Sequence, residues 1–146
     1  MTRTLLFLTA ITALLSCTKN IEDRLIGEWK LDGAYKKELF GRDYFQTGYE
    51  SGIFTLYESG SAAYTSATES LSGYWKSDYY WGSYDPNTGE PDSRRLKYLE
   101  IYLADYPRNK TLNWQFDEFN FRNGWKHIRA IEHTLGRDRY YEFVKP

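Results

Sequence analysis

The sequence is poor in the residues that most often carry chemistry. Its 146 residues include one cysteine, Cys17, and two histidines, His127 and His133. A lone cysteine cannot form an intramolecular disulfide, so an exported chain of this kind must fold without one. Positive and negative charges nearly cancel, with a net charge of −1, and no basic run marks a nucleic-acid footprint. We therefore expect no nucleic acid as a partner.

The sequence does not predict a metal site either. The two histidines stand six residues apart on a predicted strand, which puts them on one face but about 20 Å apart. Residues 85–92 carry oxygen-bearing side chains at alternate positions, as a calcium loop does, but their glycine is one place early and no bidentate glutamate follows at the required distance. We interpret this segment as a connecting loop and expect neither a metal nor another cofactor.

Catalytic motifs are also missing. Asp117 and Glu118 are neighbours on a predicted strand, so they point to opposite faces and do not suit a pair of catalytic carboxylates. The chain has no nucleophile elbow and no phosphate-binding glycine loop. An enzyme is therefore the weakest hypothesis, and we expect a non-enzymatic protein.

The first sixteen residues predict an export signal. Arg3 supplies a positive charge, residues 5–15 form an apolar run, and the small residue Ser16 precedes Cys17. Leu14-Leu15-Ser16-Cys17 resembles the lipobox of bacterial lipoproteins. That resemblance implies cleavage after Ser16, lipid on the Cys17 thiol and a membrane anchor. The alternatives are an ordinary secretory signal with an incidental cysteine, or a membrane-spanning helix, for which the apolar run falls short of the roughly 20 residues required.

The rest of the chain is long enough for one domain. We assign residues 1–16 to the signal peptide, residues 17–24 to the lipidated cysteine and a polar tether, and residues 25–146 to the folded domain. Thr18 is not the aspartate associated with retention in the inner membrane. We therefore expect a lipid-anchored protein of the cell envelope, held in the outer membrane.

Aromatic residues are abundant, and they favour strands. They make up 18% of the chain, with 14 tyrosines. Alternation of apolar and polar residues, or runs rich in aromatic residues, predict strands in segments separated by turn formers. These segments are 25–33, 53–57, 62–65, 71–81, 96–105, 112–121, 125–133 and 140–144.

Several turns and one ambiguous segment complete this interpretation. Gly60 suits a tight turn, and Asn123-Gly124 predicts a type I′ turn in a two-residue hairpin. A phase shift before Phe119 predicts a β-bulge. Residues 34–52 fit either a short helix or a long loop. About eight strands joined mostly by hairpins predict an all-β, antiparallel, up-and-down fold, and closure into a barrel would remove its exposed edges.

Three segments carry a resemblance to a known family. They are residues 25–31 (Leu-Ile-Gly-Glu-Trp-Lys-Leu), 73–76 (Gly-Tyr-Trp-Lys) and 140–145 (Tyr-Tyr-Glu-Phe-Val-Lys). Together they resemble the small lipocalin-like domains of bacterial lipoproteins, which have a calycin-type barrel. The resemblance implies that Gly27 and Trp29 close the bottom of the barrel. The chain departs from that family in its long aromatic region, residues 74–84.

This aromatic region supplies the candidate site residues. Tyr79, Trp81 and Tyr84 lie nearest the proline-rich loop, where exposed rings can stack on a sugar or line an apolar cavity. The alternative is that the aromatic residues fill the core or pair across strands.

Two functional hypotheses follow. In the first, the open end of the barrel binds a small apolar molecule or a glycan, which requires a pocket walled by aromatic residues. In the second, the barrel is filled and the chain is an accessory protein that docks on another envelope protein. This second hypothesis predicts exposed tyrosine and tryptophan side chains on one outer face, with a polar rim.

Overall fold

The computed structural model describes residues 20–81 and 95–146. A short helix, α1 (Ile21–Leu25), precedes the strands, and a single turn of 3-10 helix spans Tyr106–Arg108. The strands are β1 (Gly27–Glu38), β2 (Gly41–Phe45), β3 (Ile53–Leu56), β4 (Ser61–Thr65), β5 (Ser70–Trp81), β6 (Arg95–Asp105), β7 (Lys110–Phe116), β8 (Glu118–Arg122), β9 (His127–Glu132) and β10 (Arg139–Val144). The prediction of an all-β chain is confirmed, with ten strands in the described part where the sequence predicts about eight.

All strand pairs are antiparallel and belong to one sheet. The hydrogen-bonded order is β7-β6-β5-β4-β3-β1-β10-β9-β8, and β2 pairs with the far end of β1. The two end strands, β7 and β8, follow each other in the chain with only Asp117 between them, and they do not pair with each other. The sheet is therefore not closed into a barrel, and the predicted closure is wrong. The chain bends at Asp117, so that β7 extends the β6 edge and β8 extends the β9 edge.

One face of the sheet encloses the core. Along β1, Trp29 and Leu31 are buried while Glu28 and Lys30 are exposed, which confirms the predicted alternation. The other strands also direct their apolar side chains toward this face. Aromatic rings from distant parts of the chain therefore pack together there. The largest fully buried side chains are Trp29, Tyr64, Phe54, Phe116, Phe119, Leu25, Leu31, Leu71, Leu99, Leu103 and Ile128.

Helix α1 begins inside the segment that the sequence assigns to the tether. Asn20 and Asp23 form a capping box, which satisfies backbone groups at the start of the helix. Ile21 and Leu25 are buried against the core, and the indole Nε1 of Trp29 donates a hydrogen bond to the Leu25 carbonyl at 2.7 Å. Residues 21–24 are therefore a folded part of the domain, and the predicted tether is too long at this end.

Three local predictions need correction. Residues 34–45 form a hairpin of β1 and β2, where neither a helix nor a long loop is present. The Asn123-Gly124 turn exists, and both residues have positive φ, but the loop runs over residues 123–126 because Arg122 pairs with His127. The phase shift before Phe119 is a strand break at Asp117, while a register shift lies in β1 between Leu31 and Gly33.

Some sequence predictions lie outside the described residues. These are the signal peptide, the lipidated Cys17, Tyr84 and the loop of residues 85–92. Among the described residues, no helix is long and apolar enough to span a membrane.

Candidate functional site

Among the described residues, the sheet encloses only a small void. Its void has a volume of about 10 Å³, which is about the size needed for one water molecule. The void is lined by Trp29, Phe54, Leu56, Leu99, Ile101, Ile128 and Phe143. The described part of the core is therefore filled by its own side chains.

The candidate residues Tyr79 and Trp81 lie on one side of β5, near the end of its pairing with β6. Tyr79 is half-buried against the core, and the guanidinium of Arg95 lies 3.8 Å from the centre of its ring. Trp81 pairs with Arg95 across the strands and is 69% exposed. The structure thus places the two side chains on one side of β5, at the end of the described segment, with the Arg95 guanidinium over the Tyr79 ring. Tyr84, the third candidate, lies outside the described residues.

A larger aromatic surface lies on the outer side of the same two strands. Tyr74 on β5 and Tyr102 on β6 are paired, and their rings stack with centroids 5.4 Å apart. Tyr80 and Tyr98 form a second tilted pair at 6.4 Å. Tyr106 lies beside Tyr102, and the charge repulsion and hydrogen bond between the two hydroxyls raise the pKa of Tyr102. We name this surface the tyrosine face, formed by Tyr74, Tyr80, Tyr98, Tyr102 and Tyr106.

Charged groups cross the tyrosine face as a compensated pair. The ammonium of Lys76 lies 3.1 Å from the Glu100 carboxylate, which also accepts a hydrogen bond of 3.0 Å from the Tyr74 hydroxyl. That hydrogen bond raises the pKa of Tyr74. The face therefore presents rings and hydroxyls together with the exposed Asp78, which lies between Lys76 and Tyr80 on the same side of β5.

The sequence points to two of the five residues of this surface. Tyr74 and Tyr80 belong to the predicted aromatic cluster, but its member Trp75 faces inward, is buried, and donates from Nε1 to the Tyr57 carbonyl at 2.9 Å. Tyr98 and Tyr102 come from the partner strand and were not predicted as site residues. The signal was the tyrosines at alternate positions of β6, which share a face with Tyr74 once the two strands pair.

Comparison with known proteins gives no information on function, so any functional assignment must rest on the geometry described here. No protein-family profile matches the chain, and no curated protein or solved structure shows significant similarity to it.

A second concave surface lies on the outer side of the other half of the sheet. Its volume is about 340 Å³, and it lies between β2, β1, β10 and the β8–β9 turn. We name it the arginine groove, and its charged and hydrogen-bonding lining residues include Arg42, Arg122, Arg129, His127, Tyr35, Asp32 and Glu142. Sequence reasoning missed it, since its residues are far apart in the chain.

Glu142 forms the floor of the arginine groove and is only 8% exposed. Its Oε1 accepts hydrogen bonds from Nε of Arg129 at 2.7 Å and from the Tyr35 hydroxyl at 3.2 Å. Its Oε2 lies 2.7 Å from Nε2 of His127, yet the two atoms lack hydrogen-bond alignment, and neither has another partner among the described residues. Burial together with the Glu142 charge raises the pKa of Tyr35, which therefore stays a neutral donor.

The histidines occupy separate environments. His127 faces the groove floor, whereas His133 lies just beyond β9, where its Nδ1 is 2.9 Å from Asp138. Within residues 20–81 and 95–146, no group of three or more histidine, cysteine, aspartate or glutamate side chains is arranged to hold a metal ion.

Proposed function

We propose that this chain is a non-enzymatic lipoprotein of the cell envelope, anchored in the outer membrane by lipid on Cys17. Its domain is a lipocalin-like variant with a filled interior, and it docks on another envelope protein through the tyrosine face. The observation that carries this proposal is the combination of a void of about 10 Å³ inside the sheet with paired tyrosines outside it.

The composition of the tyrosine face suits a protein partner. Tyrosine is enriched at protein interfaces because its ring buries a large area at little entropic cost and its hydroxyl still forms hydrogen bonds. Lys76 and Glu100 already compensate each other, so a partner need not supply a charge there. Asp78 adds a carboxylate to the same face, so the expected partner surface is apolar at its centre, with hydrogen-bond donors around it.

Photo-crosslinking in intact cells tests the docking surface. A benzophenone amino acid placed at Tyr74 or Tyr102 should give the same discrete crosslinked product, identified by mass spectrometry as one envelope protein. Trp125 is the control position, because it lies in the β8–β9 turn and is 47% exposed, against 45% for Tyr74. Equal products from all three positions, or no product from Tyr74 and Tyr102, would refute docking through this face.

Membrane fractionation tests the anchor. Cys17→Ser removes the thiol that receives the lipid, so the protein should lose the added lipid mass and should no longer reach the outer-membrane fraction. Ser16→Ala is the matched control, because it keeps a small residue before the cysteine and should preserve anchoring. An unchanged mass and an unchanged outer-membrane location of the Cys17→Ser chain would contradict the lipid anchor.

Trp81 and Tyr79 favour a glycan as a second candidate partner. An exposed indole beside a ring and the Arg95 guanidinium can stack on a sugar face and donate hydrogen bonds to its hydroxyls. A small apolar ligand in the interior has no comparable support, given the size of the void. Binding of envelope polysaccharide that is lost in Trp81→Ala, but kept in Tyr74→Ala, would favour the glycan over the docking proposal.

A further inference from the structure

The arginine groove is lined by three arginines and two acids, Asp32 and Glu142, so its positive charge exceeds its negative charge. Arg129 is committed to Glu142 through Nε, but no hydrogen bond within the described part of the chain engages its two terminal nitrogens. Arg42 contacts only neutral groups there: its guanidinium lies 4.5 Å above the Tyr35 ring, and Nη1 is 3.4 Å from the Tyr44 hydroxyl. Arg122 is exposed and forms no ion pair with another described residue.

The groove floor holds the guanidinium groups of Arg129 and Arg42 in place. A buried carboxylate is costly unless it is paired and hydrogen-bonded, so the Arg129–Glu142 pair and the Tyr35 hydroxyl fix one another. The ring of Tyr35 is in turn held between the Tyr140 ring, stacked at 5.2 Å, and Arg42. Guanidinium groups fixed in this way lose little conformational entropy when they bind a ligand.

The acid on the floor is already engaged through both of its oxygens. Its Oε1 accepts from Nε of Arg129, and its Oε2 lies 2.7 Å from Nε2 of His127. The volume of about 340 Å³ lies in the range of small-molecule sites.

We infer that the arginine groove binds a small oxyanion, a carboxylate or phosphate group, between the guanidinium groups of Arg42, Arg122 and Arg129. Such a group accepts paired hydrogen bonds from a guanidinium in the planar geometry that arginine offers. This site is on the opposite half of the sheet from the tyrosine face, so its occupancy does not depend on docking there.

Calorimetric titration of the full chain in non-ionic detergent tests the site. The probes are glucuronate for a carboxylate and glycerol 3-phosphate for a phosphate, with glucose and glycerol as their neutral counterparts. We expect at least one anion to bind and neither neutral compound to do so. Arg122→Gln should weaken that binding by about tenfold, since one charge-assisted interaction is lost. Arg122 is exposed, so the variant is expected to fold.

Arg108→Gln is the matched control, because Arg108 is an exposed arginine paired with Asp105 outside the groove. It should leave the affinity unchanged. Failure of both anions to bind, equal binding of glucose or glycerol, or equal weakening by Arg108→Gln would overturn the inference. Vesicles containing phosphatidylglycerol identify the source: if they compete with glycerol 3-phosphate only when Arg122 is present, the ligand is a lipid headgroup, and if they do not compete, it is a soluble anion.

Discussion

The absence of a side chain at Gly73 determines how closely β5 and β6 approach each other. Gly73 on β5 pairs with Leu103 on β6, and a Cβ atom at Gly73 would overlap the backbone carbonyl of Tyr102. No flexible side chain is available to move aside, because the obstruction is main chain. The close approach of β5 and β6, which form the longest strand pair of the described sheet, therefore requires glycine at position 73.

Gly73→Ala should lower the free energy of unfolding by about 3 kcal/mol, the upper part of the range for overpacking, because β5 and β6 must separate. Chemical denaturation of the full chain measures the loss. Gly136→Ala is the control, since a Cβ atom there meets nothing within 4 Å, and it should be nearly neutral. Equal stability of the two variants would show that the strands separate at little cost.

Tyr141 links stability to alkaline pH. Its ring is packed against Phe45 and Phe116, and its hydroxyl donates to Glu132 at 2.9 Å. Burial, and then the hydrogen bond and charge of Glu132, raise its pKa from 10.0 to about 12. Above pH 10 the unfolded chain loses this proton while the folded chain keeps it, so ionisation favours unfolding.

The free energy of unfolding should therefore fall as the pH rises from about 10 to about 12. Denaturation at a series of pH values measures the slope, and Tyr141→Phe should make it shallower than in the unaltered chain. Some slope remains in the variant, because burial also raises the pKa of Tyr35, Tyr49 and Tyr140. Identical slopes in both proteins would contradict the role of Tyr141.

At the scale of elements, Asp117 holds the bend between β7 and β8. Its carboxylate accepts a hydrogen bond of 2.7 Å from the backbone amide of His133, and its own carbonyl accepts one of 2.8 Å from the Tyr80 hydroxyl. The bend is thereby tied both to the end of β9 and to the outer side of β5. These contacts turn the chain from one edge of the sheet to the other.

Asp117→Ala should lower the free energy of unfolding by about 1 kcal/mol, the usual contribution of one hydrogen bond. Asp117→Asn keeps a carbonyl oxygen that accepts from the His133 amide, so its loss should be smaller. Thermal or chemical denaturation distinguishes the two. If both variants lost the same stability, the negative charge, and not the hydrogen bond, would be the source of the effect.

Local signals explain which elements were predictable. Hairpins with turn formers, such as those at Gly60 and Asn123-Gly124, were found because positive φ favours these residues. Strand β2 was missed because its residues are almost all exposed and show no alternation. The Asp117 bend resembled a bulge, since both shift the phase of the apolar pattern, and only the pairing partners on each side separate the two cases.

Long-range pairing limits what the sequence predicts about the sites. Tyr35 and Glu142 are 107 residues apart, and nothing local indicates that β1 and β10 are neighbours. The arginine groove therefore cannot be predicted from the sequence alone. The tyrosine face can be predicted only in part. The dense aromatic run of β5 is evident in the sequence, but only the pairing register of β6 shows which of its tyrosines lie beside that run.

At the scale of the whole molecule, the sheet encloses a core built from rings. Trp114 is the centre of one such cluster, with Phe54, Phe116 and Tyr141 at centroid distances of 5.4, 5.8 and 5.4 Å. Rings that interlock this closely leave no continuous channel, in contrast to lipocalin-type barrels that enclose a ligand. The two proposals therefore rest on outer surfaces of the described domain, the tyrosine face and the arginine groove.

Native mass spectrometry of the full chain, released gently from the envelope in detergent, tests this arrangement. We expect no reproducible apolar adduct beyond the lipid on Cys17, because a void of about 10 Å³ cannot hold even a short acyl chain. The same protein unfolded and refolded is the control, and its mass should be unchanged. An apolar mass that is present before unfolding and lost on refolding would mean that the core opens to a ligand, and it would restore interior binding over docking as the function.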